Sequence, residues 1–391
     1  MSHLARLKAV VPKELAEEFL SKLHYVSEFM TAFELTEARD AVRFHLLPEG
    51  AGSASQVSER IIETAQKMCG AYRPGELKVI ATGRGPGDFA DDPQPLLEAR
   101  GDLFRYGQGR YGFGPRLLEL MEVFDDRLLQ AAKQFRAIPQ QFPTLIGADV
   151  LERCRYLRSF PHSLSLVSHL REDLGAIQDF ARTARWDGNR LLCDARDLAG
   201  IECLLSPNVC FHCYAWLKDS RQPEPVAYTA IGKCFRYESG NLRGLERLWD
   251  FTMREWIFVG SEDYVLRQRE ESLRETVRLL DEWQLTYEIR SATDPFFIED
   301  YSIATFQKAF ELKYEVQAQL PYAAKTLAVG SLNFHQDLFG RSLNISGADD
   351  EAVNTACVGF GLERLALAFL AQHGLEKKTW PAAVADNLQS W

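Results

Sequence analysis

Two short segments carry residue types suited to holding a phosphorylated ligand. In Ile231-Gly-Lys-Cys-Phe-Arg-Tyr-Glu238, a strand would set Arg236 and Glu238 on one side, because successive side chains alternate faces. A guanidinium so placed can grip phosphate or carboxylate through two N–H groups. A loop follows, then Arg247-Leu-Trp-Asp-Phe251: a cation for triphosphate oxygens and, four residues on, an aromatic ring for a purine. The bland alternative for Arg-x-Glu is a surface ion pair. The second segment, Thr355-Ala-Cys-Val-Gly-Phe-Gly-Leu-Glu-Arg364, runs into Leu-Ala-Leu-Ala-Phe369. Gly359 and Gly361 let a backbone pass close to a ligand. Arg364 opens an apolar helix, whose positive end favours phosphate. The same pattern also fits a glycine turn before a core helix with a solvent-facing arginine.

Eight cysteines are present, at 69, 154, 193, 203, 210, 213, 234 and 357. In an intracellular chain of this length, thiols or metal ligands are expected over a disulfide framework. Cys210-Phe-His-Cys213 is compatible with a structural zinc or redox pair, but no second Cys-x-x-Cys accompanies it. On a strand the two thiols would face opposite sides, so only one could enter a site. Cys234 shares strand parity with Arg236 and Glu238, so it either lines the pocket or packs as a thiol. Cys69, Cys154, Cys193 and Cys203 read as core thiols.

The elements that must position these groups are legible in outline. The periodicity predicts a strong amphipathic helix over Pro115–Phe135, either a core helix or a dimer-forming one, ended by Pro139 and Pro143. A second long helix is expected over Glu262–Glu282. Strand-like runs lie near 231–237, 256–259, 285–289, 326–334 and 342–345. They do not alternate regularly with helices, which favours a mostly antiparallel sheet flanked by helices. Residues 1–85 read β-α-β-β-α-β, a ferredoxin-like order, with Val57, Ile61, Ile62, Ala65 and Met68 on one helical stripe. The turn-rich stretch 83–95 lacks the Lys and Ser/Thr helix of a phosphate-cradling loop and reads as a linker. The expected division is an accessory α+β domain over 1–100 and a catalytic domain over 101–391.

Composition bounds the answer. The chain has 391 residues, 46% hydrophobic and 26% charged, with net charge −10. That is ordinary for a globular cytoplasmic enzyme, and no apolar run approaches the ~18–20 residues of a membrane span. The acidic balance argues against a nucleic-acid partner, although a local basic face near Lys67, Arg73, Lys78 and Arg84 is open.

Taken together, the two segments resemble motifs 2 and 3 of class II aminoacyl-tRNA synthetases, with the 115–135 helix in the place of the degenerate motif 1. Further phrases narrow the likeness: Tyr156-Leu-Arg-Ser-Phe-Pro161, Asn208-Val-Cys210, Phe251-Thr-Met-Arg-Glu-Trp256, Thr293-Asp-Pro-Phe-Phe297, Ser331-Leu-Asn-Phe-His-Gln-Asp337 and Thr355-Ala-Cys357. They are similar to the amino acid:[carrier protein] ligases, bacterial relatives of methanogen-type seryl-tRNA synthetases. The likeness covers about 105–391, and residues 1–100 stand outside it.

The resemblance implies the class II catalytic fold, an α+β antiparallel sheet flanked by helices, and a homodimer. It implies a catalytic zinc on Cys210, Glu255 and Cys357, three ligands that leave one tetrahedral position for a substrate amine. It implies ATP-dependent formation of an aminoacyl-adenylate, with Mg²⁺ on the triphosphate. Arg236 would hold the α-phosphate and the substrate carboxylate, Glu238 the adenine side and Phe251 the ring. Arg247 and Arg364 would hold the outer phosphates. Glu351 is a metal-ligand candidate or an exposed acid. Ser331, Asn333, Gln336 and Asp337 would line the amino acid side, with His335 a structural histidine. Asn354 stands where the family often has His, which puts any role carried over to it in doubt. The implied substrate is a small amino acid such as glycine, alanine or serine. The implied acceptor is the phosphopantetheine thiol of an acyl carrier protein. The alternatives are a seryl-tRNA synthetase-like enzyme and a non-catalytic amino-acid-binding paralogue.

Overall fold

The structure, a computed structural model, describes residues 2–71, 78–85, 89, 91–292 and 312–388. The phrase Thr293–Phe297 and Arg73 lie outside the described residues.

The N-terminal region builds β1 (Ser2–Arg6), α1 (Ala16–Leu23), β2 (Met30–Leu35), β3 (Ala41–Leu46) and α2 (Ala54–Ala71). The antiparallel sheet has order β1-β3-β2. Val57, Ile61, Ala65 and Met68 of α2 are buried against Phe19, Leu23, Val42 and Phe44, as their helical spacing requires. The expected closing strand does not join this sheet. β4 (Val79–Gly83) pairs instead with a strand near residue 290, at the edge of the large sheet. The ferredoxin-like expectation thus holds for five elements and fails for the sixth, and a division at residue 100 cuts through the large sheet.

Among the described residues that sheet has eight strands. After β4, its members are β5 (Ile138–Gln140), β6 (Val226–Phe235), β7 (Asp250–Gly260), β8 (Tyr287–Ser291), β9 (Lys313–Leu320), β10 (Lys325–Gln336) and β11 (Asn354–Gly361). Their order is β4-β8-β9-β10-β11-β7-β6-β5, and every pairing is antiparallel except β5 with β6.

One face of the sheet is covered by helices. Trp256, Phe258, Val358, Phe360 and Leu332 point into a core shared with α3 (Pro115–Ala132), α5 (Glu262–Glu282) and α7 (Leu362–His373). Between those helices, the ring of Phe124 packs edge-on to Trp283 and Phe369, at 4.9 and 5.5 Å. α3 is the amphipathic helix expected at 115–135, continuing as a 3₁₀ turn over Lys133–Phe135. It is pinned by a two-pronged ion pair, Arg254 Nε and Nη2 to Asp125 at 2.6 and 2.7 Å. The run at 342–345 is not a strand. It is the end of a short helix, α6 (Leu338–Leu343), closed by Asn344 in the left-handed region.

Candidate active site

The opposite face carries the polar residues, and the pairing register puts them in rows. Glu255 of β7 lies across from Gly359 of β11, which lies across from Ser331 of β10. One step along, Cys357 lies across from Asn333. Directly paired residues share a face, so β7, β11 and β10 present these side chains together. The covering element is α4 (Cys210–Trp216), which brings Cys210 down onto the sheet. The Cys210, Glu255 and Cys357 ligand atoms lie within 4.8 Å of one another. All three residues are at most 5% exposed.

The Cys-x-x-Cys segment is therefore helical, and the strand-parity argument for it fails. Cys213 is fully buried among apolar side chains and does not belong to the three-residue group. Cys234 is also fully buried, packed with Val209, Ala230 and Phe251; of its two readings the packed thiol is the one seen.

Glu255 accepts from the backbone N–H of Val209 at 3.2 Å and of Cys210 at 2.9 Å. Burial, then the neighbouring Cys357, still pushes its carboxyl up to about 8. Burial and the same neighbours raise the Cys210 thiol well above its usual range. Cys357 moves the other way: a hydrogen bond from Cys210 and the nearby His335 hold it low. His335 Nε2 lies 3.7 Å from its sulfur and Asn333 Nδ2 3.6 Å. Three acids with no cation among them cannot all ionise in a dry site. Two thiolates and a carboxylate are the donors a divalent zinc takes. Bonds of about 2.0–2.3 Å would put tetrahedral ligand atoms roughly 3.5–4 Å apart, within small side-chain rotations of the geometry seen. The donor set fits zinc.

His335, expected only as a structural histidine, stands beside a thiol of the buried group. Its place comes from a bulge: the register of β10 on β11 shifts between Phe334 and Gln336, and Gln336 has φ of 54°. The bulge turns His335 onto Cys357 and Thr355, with Nδ1 3.2 Å from the Thr355 hydroxyl.

At the other end of the same face lie the arginines. Arg236 follows β6 and is fixed by the Pro207 carbonyl at 3.1 Å and by Asn208 Oδ1. Its guanidinium stands 5.3 Å from the centre of the Phe251 ring. Glu238 is ion-paired with Arg247. Despite burial, the charges of Arg247, Arg364 and Arg236 hold Glu238 below the usual carboxylate range. Burial lowers Arg364, and Glu238 and Glu315 oppose that shift. Arg364 is the third residue of α7 and donates to the Ala328 carbonyl at 3.1 Å. Its neighbour Glu363 is 1% exposed and accepts from Thr252 N and Oγ1 at 2.9 and 2.8 Å. That buried contact ties the start of α7 to β7 and so fixes the two arginine-bearing segments to each other.

Arg236, Glu238, Arg247, Phe251 and Arg364 thus come together, as do Cys210, Glu255, Cys357, Ser331 and Asn333. Ser331 accepts from Asn333 Nδ2 at 3.0 Å. Gln336 lies across from Thr355, beyond the thiols. Asp337 is taken up by Arg341, 2.6 Å away. Glu351 is not brought to the arginines. It is exposed on the turn before β11, whose eight residues span roughly 25 Å between it and Gly361. A carboxylate the sequence reading did not name, Glu315 on β9, lies across from Ser331, is held by Lys313 at 2.9 Å and, with Glu238, is within electrostatic reach of Arg364. Strand pairing put it there, and no local pattern in the sequence announced it.

Comparison with known proteins agrees with this geometry. The model of the tRNA synthetase class II core domain (G, H, P, S and T) matches residues 195–373. Amino acid–[acyl-carrier-protein] ligase 2 of Bradyrhizobium diazoefficiens is 31% identical over 319 residues, 79% of this chain and 92% of that protein. The type-2 serine–tRNA ligase of Methanopyrus kandleri is 29% identical over 326 residues, 78% of this chain and 62% of that protein. Among solved structures, M. kandleri SerRS in complex with A. aeolicus tRNASec superposes with a TM-score of 0.72 at 22% identity. That match covers 99% of this chain and 77% of the other. The shared fold therefore extends over the N-terminal region, which the sequence likeness was expected to leave out.

Proposed function

The chain belongs to the class II aminoacyl-tRNA synthetase-like family that includes the amino acid–[acyl-carrier-protein] ligases, and on that basis we propose that it activates a small amino acid with ATP and passes it to a carrier-protein thiol. The observation that carries the reading is the single sheet face with arginines at one end and a buried thiol–carboxylate group at the other, bridged by Ser331 and Asn333.

The chemistry follows from the side chains. Arg236 draws the substrate carboxylate and the α-phosphate together, lowering the cost of bringing two anions into contact. A carboxylate oxygen attacks the α-phosphorus, the bond to the bridging oxygen breaks, and pyrophosphate leaves. Arg247 and Arg364 balance the charge that accumulates on the departing group, aided by Mg²⁺ carried with ATP. Phe251, with the Arg236 guanidinium over one side of its ring, offers its other side to adenine. Cys210, Glu255 and Cys357 would hold zinc, which supplies an open coordination position for the substrate's amine. Ser331 and Asn333 stand beside these three residues and would hydrogen-bond the substrate there. The acceptor thiol then attacks the acyl carbon, the mixed-anhydride C–O bond breaks, AMP leaves, and the thiol proton passes to solvent. The family also motivates a homodimer through the region of α3.

Transfer to tRNA is the second reading, favoured by the 29% identity to a serine–tRNA ligase. Amino-acid-dependent ATP–pyrophosphate exchange by zinc-loaded protein tests the first half. Exchange with a small amino acid is expected; none with any standard amino acid would leave a non-catalytic paralogue. Supplying the active enzyme with phosphopantetheinylated carrier protein and with bulk tRNA tests the second half. Salt-sensitive tRNA binding with aminoacylation would replace the carrier protein as acceptor.

A further inference from the structure

The C-terminal turn of α1, in the N-terminal region, lies directly on the loop Ser239–Asn241 between the two arginine-bearing strands. Four observations define the contact. The Ser21 carbonyl, one of the four that a helix end leaves without an internal partner, accepts from Asn241 Nδ2 at 3.1 Å. Gly240 has no room for a side chain, since a Cβ there would come within 2.3 Å of His24 Nδ1. Tyr25 reaches the Asn241 amide and packs its ring edge-on to His162, 5.0 Å away. Lys22 is 4% exposed at this junction, within the electrostatic reach of Glu18, Glu238, Arg247 and His162.

The loop is not free to choose its own shape. Ser239 has φ of 50°, a left-handed conformation that non-glycine residues avoid. Backbone held against its preference needs surroundings that fix it. On one side Gln108 Nε2 donates to the Ser239 carbonyl at 3.2 Å. On the other stands α1. Immediately before the loop is Glu238, and shortly after it Arg247, the ion pair at the mouth of the nucleotide end.

We infer that the N-terminal domain is a positioning device for ATP: the last turn of α1 clamps the loop 239–241 in the shape that presents Glu238 and Arg247 to the nucleotide, with Lys22 and Asn241 as the positioning residues. This rests on the nucleotide reading of the preceding section and assigns the accessory domain a role in that same site. None of the clamp residues needs to touch ATP. Lys22 adds a buried positive charge behind the Glu238–Arg247 pair and keeps Glu238 facing it, and Asn241 ties the loop to the helix end.

The test uses the full chain with Lys22→Met, Lys22→Arg and Asn241→Ala. Two readouts are taken: KM for ATP against kcat in pyrophosphate exchange, and direct binding of a fluorescent mant-ATP. Lys22→Met and Asn241→Ala are expected to raise KM for ATP and the mant-ATP dissociation constant roughly tenfold, because one charged or capping contact is lost. Under the inference kcat stays within about threefold of wild type and the KM for the amino acid does not move, while Lys22→Arg restores ATP affinity. A merely structural junction would lower the melting temperature and leave KM for ATP at the wild-type value, and that result in both folded variants overturns the clamp. Wild-type protein that binds mant-ATP but catalyses no exchange overturns the ligase reading alone, and the mant-ATP titrations still decide the clamp. Wild-type protein that binds no mant-ATP overturns both.

Discussion

The two ends of the catalytic face are held by opposite electrostatics. At the nucleotide end, three arginines and Glu238 balance much of one another's charge within the protein. At the thiol end, two cysteines and Glu255 are all acids and all buried, with no lysine or arginine in the group. The first end can stand charged and wait for ATP. The second is finished only by a ligand that brings positive charge. Under the proposed function, this contrast matches an amino acid held by its carboxylate at one end and, through zinc, by its amine at the other.

The largest effect that would sharpen this contrast is at Cys357. Cys357→Ser should leave protein with no stoichiometric zinc by elemental analysis and pyrophosphate exchange reduced by more than about 10³-fold, with ATP binding retained. Full zinc in that variant would break the contrast at its root. Arg364→Ala should do the reverse, lowering kcat/KM by about 10²–10³ through loss of charge stabilisation, with zinc content untouched.

Zinc affinity should also depend on pH. Cys210 and Glu255 are protonated at neutral pH in the metal-free protein, because their pKa values are raised, Glu255 to about 8. A proton must leave each before metal can enter, so rising pH favours binding. Below pH 8 about two protons are released and affinity should climb roughly hundredfold per pH unit. Above it Glu255 has already ionised and the slope should fall to about tenfold. Competition titrations against a chelator in zinc-buffered solutions read this directly, and a pH-independent affinity would contradict the protonated cluster. The smallest expected change is at Phe251. Phe251→Leu should raise KM for ATP about five- to tenfold through lost stacking, with kcat and zinc little altered.

Much of the fold was legible where the signal is local. The 262–282 helix begins at Ser261, whose hydroxyl accepts from the Tyr264 N–H, and the apolar spacing of 115–135 marked the face that packs on the sheet. Strand parity is not what joins Arg236 and Glu238, since β6 ends at Phe235 and Glu238 leads into a 3₁₀ turn, yet the fold still keeps the two in one cluster. Local pattern failed where a neighbour decided the outcome. Val79–Gly83 is strand in either setting, and its partner proved to be β8. The 342–345 run became the end of α6 and its left-handed cap at Asn344, and Cys210–Cys213 was taken up by α4. His335 gained its position from a bulge, a mismatch between two strands that neither strand's sequence states.

From the chain alone came the residue types, the helices with their buried stripes, and the two arginine segments, since each depends on contacts a few residues apart. Which carboxylate meets which thiol was a tertiary matter. Cys210, Glu255 and Cys357 reach one another because β7 and β11 pair in one register and α4 lands on top of them. Hydrogen-bond register between distant strands carries no local periodicity, and a one-residue slip would turn Glu255 or Cys357 to the helix-packed side.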